Sequence, residues 1–185
     1  MKIKYCLVPV LLLLLCISCG EEAVPKPKAM LRLEYPESNL VNWESDCQYT
    51  FSYNQLAQVV RKENCALDLD YPIMHGSIYI TYKPIENNLE QLLTDAQKLS
   101  YEHVVKADDI LEQPFVNEDD KVYGMYYEVR GNAASQAQFY VTDSTEHFVT
   151  GSLYFYAVPN YDSIYPAASY LQKDIRRLME SMQWK

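Results

Sequence analysis

The chain has 185 residues, with 16 Lys and Arg against 25 Asp and Glu and a formal charge of −9 at neutral pH. A body this acidic is not built to bind nucleic acid, and anionic lipid would repel it. The five glycines, at positions 20, 76, 124, 131 and 151, form no glycine-rich phosphate loop or dinucleotide fingerprint, which excludes kinase, GTPase and nucleotide-cofactor chemistry.

The first element runs from Lys2 to Cys19 and reads K-I-K-Y-C-L-V-P-V-L-L-L-L-L-C-I-S-C. Two lysines precede an apolar run from about Leu7 to Ile17, which closes on Ser18 and Cys19. That is the layout of a secretory signal, and the run falls short of the roughly 20 apolar residues of a membrane-spanning helix. Ile-Ser-Cys resembles a bacterial lipobox, although Cys16 stands where Leu is usual. Cutting before Cys16 would put Leu15 at the small-residue site, so the mature chain is expected to start at Cys19, carrying diacyl or triacyl lipid, palmitate included. Two or more acyl chains hold a protein to a membrane durably, whereas one does not. Losing Lys2 and Lys4 with the signal moves the formal charge from −9 to −11, so lipid rather than a basic patch must provide membrane residence. Glu21 and Glu22 follow the lipid site, a pattern similar to the surface-export signal of some Bacteroidetes lipoproteins. Pro25 and Pro27 alternate with lysines in an extended, semi-rigid tether. The expected organisation is a lipoprotein signal peptide over 1–18, a lipidated Pro/Lys tether over 19–28, and one α+β domain over 29–185.

Once Cys6 and Cys16 leave with the signal and Cys19 takes lipid, Cys47 and Cys65 remain. In an oxidising envelope they are most simply a disulfide. Two buried thiols or a redox pair are the alternatives, and no C-x-x-C spacing supports redox chemistry.

Period-two alternation with aromatic and β-branched residues predicts strands near Met30–Tyr35, Gln48–Tyr53, Ala57–Arg61, Gly76–Lys83, Lys121–Arg130, Ser135–Thr142 and Phe148–Val158. In V-Y-G-M-Y-Y-E-V-R, Tyr123, Met125, Tyr127 and Val129 form one face, which points to an antiparallel sheet covered on one side. Turn chemistry at Arg130-Gly131-Asn132 and Thr142-Asp143-Ser144 makes the last three strands a meander. A long middle helix is predicted from an Asn88 cap with Gln91 in a capping box, its apolar stripe running from Leu89 to Ala107 through His103. A second starts near Asp162 or Ser163, takes Pro166 in its first turn and stacks Ile164, Ala167, Ala168, Leu171, Ile175, Leu178 and Met182. Strands, helix, strands, helix is an α+β order: an antiparallel sheet with a long middle helix and a C-terminal helix packed on it, similar in layout to PsbP and Mog1-type domains.

Chemistry-bearing residues are sparse. His75, His103 and His147 lack the short spacing of a zinc site, so no metal or other cofactor is expected. His103 reads as a buried, hydrogen-bonded core residue. Ser135, Asp143 and His147 are the residue types of a hydrolase triad, but no nucleophile elbow surrounds the serine. The acidic pairs Asp68 and Asp70, Asp108 and Asp109, and Glu118 to Asp120 read as solvated loops and helix ends, so no catalytic residue is assigned and no enzyme is expected. Tyrosine is the anomaly, with 17 copies, and from Tyr154 the chain reads Y-F-Y-A-V-P-N-Y-D-S-I-Y. Strand tyrosines commonly bury the ring and leave the hydroxyl wet. The other reading makes Tyr154, Tyr156, Tyr161 and Tyr165 a contact surface for protein, or alternatively a polysaccharide-binding face.

Several blocks together carry a resemblance: P-K-P-K-A at 25–29, L-R-L-E-Y-P at 31–36, Y-I-T-Y-K-P at 79–84, D-A-Q-K-L-S-Y-E-H-V-V-K-A at 95–107, G-N-A-A-S-Q-A-Q-F-Y-V-T-D-S-T at 131–145, T-G-S-L-Y-F-Y-A at 150–157 and D-I-R-R-L-M at 174–179. With Asp46-Cys47 and the final Trp184-Lys185, the chain resembles the Bacteroidetes gliding motility lipoprotein family GldD over essentially its whole mature length. The resemblance implies a lipid-anchored accessory of the gliding machinery in the cell envelope, tied to type IX secretion. The partners it implies are other envelope proteins of that machinery, and the expected address is the outer membrane facing the periplasm, or the cell surface. It carries over no catalytic residue, and Cys19 alone transfers, as the lipid site.

Overall fold

The computed structural model describes residues 33–102, 106–156 and 160–185. Three short strands come first, β1 (Leu40–Asn42), β2 (Tyr49–Thr50) and β3 (Ser52–Asn54), followed by β4 (Gln58–Arg61), β5 (Leu67–Tyr71), a 3-10 turn at Pro72–Met74 and β6 (Gly76–Pro84). Helix α1 (Leu89–Tyr101) leads to β7 (Ala107–Asn117), β8 (Val122–Gly131), β9 (Ser135–Thr142) and β10 (His147–Phe155). Helix α2 (Tyr161–Glu180) and β11 (Gln183–Trp184) follow. Strands β4 to β10 form a seven-stranded antiparallel sheet in the order β4-β5-β6-β10-β9-β8-β7, while β1 pairs with β3 and β2 with β11. The fold is α+β, with the C-terminal helix packed on an antiparallel sheet, as the order of elements predicts.

Helix α1 carries the chain from β6, in the middle of the sheet, to β7 at its far edge. From there β8, β9 and β10 return strand by strand until β10 pairs with β6 over nine residues, so the expected meander forms the centre of the sheet. Alternation then sorts the side chains. Leu67, Leu69 and Tyr71 of β5 face an inner core with Ile78, Ile80, Phe139, Val149 and Leu153, and α2 lays Leu171, Ile175 and Leu178 against them. Fully burying each such side chain contributes roughly 1.5–3 kcal/mol. On the outer face, Leu92 of α1 packs with Tyr127, Tyr140 and Phe148. Both faces are therefore covered over the meander, and every position of β9 is buried, which corrects the expectation of a single covered face. Each helix has only one apolar stripe, so the two lie on opposite sides of the sheet. Gly151 makes room in this layer: a Cβ there would lie 2.0 Å from the ring of Phe139, its partner across the strands.

Several expectations are corrected. The α1 helix ends at Tyr101, and Ala107, placed on its stripe by spacing, opens β7 instead. The β-branched Ile110 and Val116 and the edge-tolerant Pro114 suit that edge strand, where Asp108 and Asp109 also sit. No capping box forms: Asn88 Oδ1 accepts from the Glu86 amide at 2.8 Å, and the Gln91 side chain donates to Asp95. The Gln48–Tyr53 strand is two short pieces broken at buried Phe51. Asp68 and Asp70 lie in β5, not in a loop. Pro166 sits beyond the first turn of α2, because the helix starts at Tyr161. Residues 33–35 are not a strand. Residues 30–32 and His103, like the signal, the tether and Cys19, lie outside the described residues.

The segment before β4 is fastened by a buried acid. Asp174 of α2 is 4 % exposed and accepts from Asn54 Nδ2 at 2.6 Å and Ser38 Oγ at 3.0 Å. The Asn54 amide also reaches Tyr170 Oη at 2.9 Å, and that hydroxyl donates to the Pro36 carbonyl at 2.8 Å. Cys47 and Cys65 are joined by a disulfide with Cα atoms 5.7 Å apart, and the Tyr49 hydroxyl donates to the Cys65 carbonyl.

Closing a loop of this length stabilises a fold by about 3 kcal/mol in the chain-entropy picture. Replacing both Cys47 and Cys65 by Ser should lower the unfolding free energy by about that amount, read from the urea midpoint. Burial raises the Asp174 carboxyl above the ordinary Asp range, against the opposing pull of Asn54, Ser38 and Arg177. Folding therefore favours its protonated form, and that preference adds stability below the ordinary Asp pKa and is lost as pH rises through the raised one. Asp174→Ala should cost about 2 kcal/mol at neutral pH by stranding its donors. In urea titrations, the deficit against wild type should widen on acidification.

Candidate contact surfaces

The four tyrosines singled out by sequence fall into two pairs on opposite faces of the sheet. On the inner side, Asn132 in the β8–β9 turn accepts the Tyr161 amide at 2.8 Å and sets the start of α2, a turn that Gly131 permits with φ of 101°. One helical turn apart, Tyr161 and Tyr165 meet edge to face, with centroids 5.5 Å apart. They wall a cleft of about 390 Å³ between α2 and β8, with Tyr126, Arg130, Lys173 and Arg176. The Arg176 guanidinium lies over the Tyr126 ring, 4.4 Å from its centroid, and donates to Gln113 Oε1. Arg130 pairs with Glu128 at 2.9 Å. Three cations, one carboxylate and three phenol rings make a surface suited to aromatic and acidic groups.

On the outer side, Tyr154 meets Tyr79 edge to face, with centroids 5.8 Å apart. The Tyr156 hydroxyl lies 2.7 Å from Ser77 Oγ and 3.0 Å from Tyr79 Oη. Ser77 Oγ donates to Asp70 Oδ1. The serine has one proton and spends it on the carboxylate, so Tyr156 is the donor toward Ser77 and the chain of hydroxyls ends on Asp70. The bond to Tyr156, and burial after it, push the Tyr79 phenol up to about 12. Sequence reasoning gave no surface role to Ser77, Tyr79, Tyr126 and Arg176, and took Asp70 for part of a solvated acidic pair. For Asp70, Ser77, Tyr79 and Tyr126 the local signal is only alternation along β5, β6 and β8, and for Arg176 only helical spacing; the pairing of β6 with distant β10 and the seating of α2 on β8 gather them.

Ser135, Asp143 and His147 do not converge. Ser135 opens β9 and Asp143 follows its last residue, roughly 25 Å away at strand rise. The buried Ser135 hydroxyl donates to the Ala137 carbonyl. His147 Nδ1 lies 3.0 Å from Tyr82 Oη, and the imidazole stacks on Trp184 with centroids 5.2 Å apart. Asp143 Oδ1 instead accepts the amides of Thr145, Glu146 and His147, a turn that holds the β9–β10 hairpin. Among the described residues no group of three or more His, Cys, Asp and Glu side chains is placed to hold a metal ion, and no helix is long and apolar enough to cross a membrane.

A family model described as gliding motility lipoprotein GldD matches residues 20–184. The chain belongs to that family. No curated protein matches it. Membership makes the chain a gliding motility accessory lipoprotein, lipid-anchored in the cell envelope, and the family is not a known enzyme family. Neither tyrosine pair is accounted for by the family description.

Partial burial would raise the Asp143 carboxyl, but the amides of His147, Thr145 and Glu146 and the Thr145 hydroxyl outweigh it and hold it at about 2. Its contribution to stability is therefore full above the ordinary Asp range and is lost as pH falls through about 2. Asp143→Ala should cost about 1–2 kcal/mol at pH 7. In contrast to Asp174→Ala, this deficit should close on going from about pH 4 toward pH 2, as followed by urea denaturation.

Proposed function

We propose that this lipoprotein acts by protein contact, using the Tyr161–Tyr165 cleft as its contact surface and acyl chains on Cys19 to stay beside the gliding machinery. The observation that carries the reading is the cleft itself: rigid phenol rings set beside Arg130 and Arg176. Tyr and Arg are the side chains enriched at the energetic centres of protein interfaces. The association with type IX secretion, and the outer membrane with its periplasmic face as the address, belong to this proposal and rest on the family resemblance. The polysaccharide alternative would be favoured by the tyrosines of 154–170 lying exposed around one groove. The four singled out form two separate pairs, so it is not taken further.

Crosslinking in living cells tests the contact. A photo-crosslinking side chain at Tyr165 should capture an envelope protein, and one at Val116, exposed on the far-edge strand, should not. Tyr161→Ala with Tyr165→Ala should cut gliding to about half or less while the protein still fractionates with membranes. Cys19→Ala should release the protein from membranes and abolish gliding. Full motility with a released variant would remove the anchoring part.

A further inference from the structure

At one end of the molecule the 3-10 turn, the last residues of β10 and the start of α2 surround Leu33, the first described residue. They form a groove of about 350 Å³ whose lining includes no Asp, Glu, Lys or Arg, in a chain with 41 such residues. Its rim is apolar and exposed: Ile73 is 73 % exposed, Tyr156 63 % and Leu33 48 %. Ile73 is held outward on a firm support. Met74 beneath it is buried, the His75 amide closes the turn on the Pro72 carbonyl at 3.3 Å, and the Tyr156 amide bonds the His75 carbonyl at 2.8 Å.

From this groove we infer that the Leu33, Ile73 and Tyr156 end is the face the domain sets against the bilayer, its rim entering the zwitterionic headgroup and upper acyl region. The inference rests on Cys19 as the lipid site. Position 33 lies 14 residues from Cys19, a span of about 43 Å at polyproline II rise and of at most about 50 Å when fully extended. The described body thus begins at this groove, and the stretch that follows Cys19 in the sequence joins it there. A tethered apolar rim meets the membrane at high effective concentration, so a contact too weak to hold a free protein is populated once the lipid is in place. A phenol with an apolar ring and a hydrogen-bonded hydroxyl suits the interface, as Tyr156 does. The charge of the body favours zwitterionic over anionic lipid. Apposition by this end would keep the Tyr161–Tyr165 cleft, between α2 and β8, available to a protein partner.

The test uses the full mature lipoprotein in phosphatidylcholine vesicles that carry spin-labelled acyl chains. Ile73→Trp and Val116→Trp place an indole at two well-exposed sites, the second on the far-edge strand β7, so neither threatens the core. After subtraction of wild-type emission, the indole at position 73 should be quenched several-fold more strongly than that at 116. Equal quenching in protein that floats with the vesicles overturns the apposition and leaves the anchor standing, as it would if the rim served a protein partner instead. Failure of the wild-type mature protein to float overturns the anchor and the apposition together.

Discussion

Asp174 is the acceptor on which the arrangement depends. A carboxylate 4 % exposed in the middle of an otherwise apolar helix face is costly unless its oxygens are occupied. The groups that occupy them, Asn54 and Ser38, come from more than 100 residues earlier in the chain. Hydrophobic burial on α2 would be satisfied by many segments lying across it. The hydrogen bonds to Asp174 and Tyr170 are directional, and they specify which segment lies there and in which register. The disulfide then fixes the following hairpin to the β4–β5 turn.

That fastening has a mechanical sense for a tethered protein. Soon after Leu33 the chain is bonded to α2, at Pro36 to Tyr170 and at Ser38 to Asp174. Tension arriving along the tether from a lipidated Cys19 would thus reach the longest helix and the inner core before it reached the edge strands. The geometry suits a domain that holds a position near lipid while its cleft engages something else.

Much of the fold was legible from local pattern. Alternation located β6, β8 and β9 to within a residue, because each strand is long and rich in aromatic and β-branched residues; it also found the start of β10, but the predicted strand ran on to Val158, past the end at Phe155, and positions 157 and 158 lie outside the described residues. The spacing of Leu171, Ile175 and Leu178 located α2 for the parallel reason. Strands β5 and β7 were missed: L-D-L-D-Y is short and carries two poor strand formers, and the edge strand exposes most of its residues and contains Pro114. The overlong α1 arose because Ala107 continues a helical spacing by accident, in a segment that pairs with β8. The tyrosines were conspicuous by number, yet their division into two surfaces depends on which strand face each occupies and which partner lies across from it.

The sequence by itself determined an acidic chain with an α+β order of elements and supplied the family resemblance and the expectation of a signal and a lipid-bearing Cys19, since charge, periodicity and signal layout are properties of neighbouring residues. Tertiary structure decided what the surfaces are. The split of Tyr154 and Tyr156 from Tyr161 and Tyr165, the cation-lined cleft, the acid-centred clasp and the uncharged rim around Ile73 all join residues distant in the chain. Only the pairing of β5, β6 and β10, and the seating of α2, bring them together.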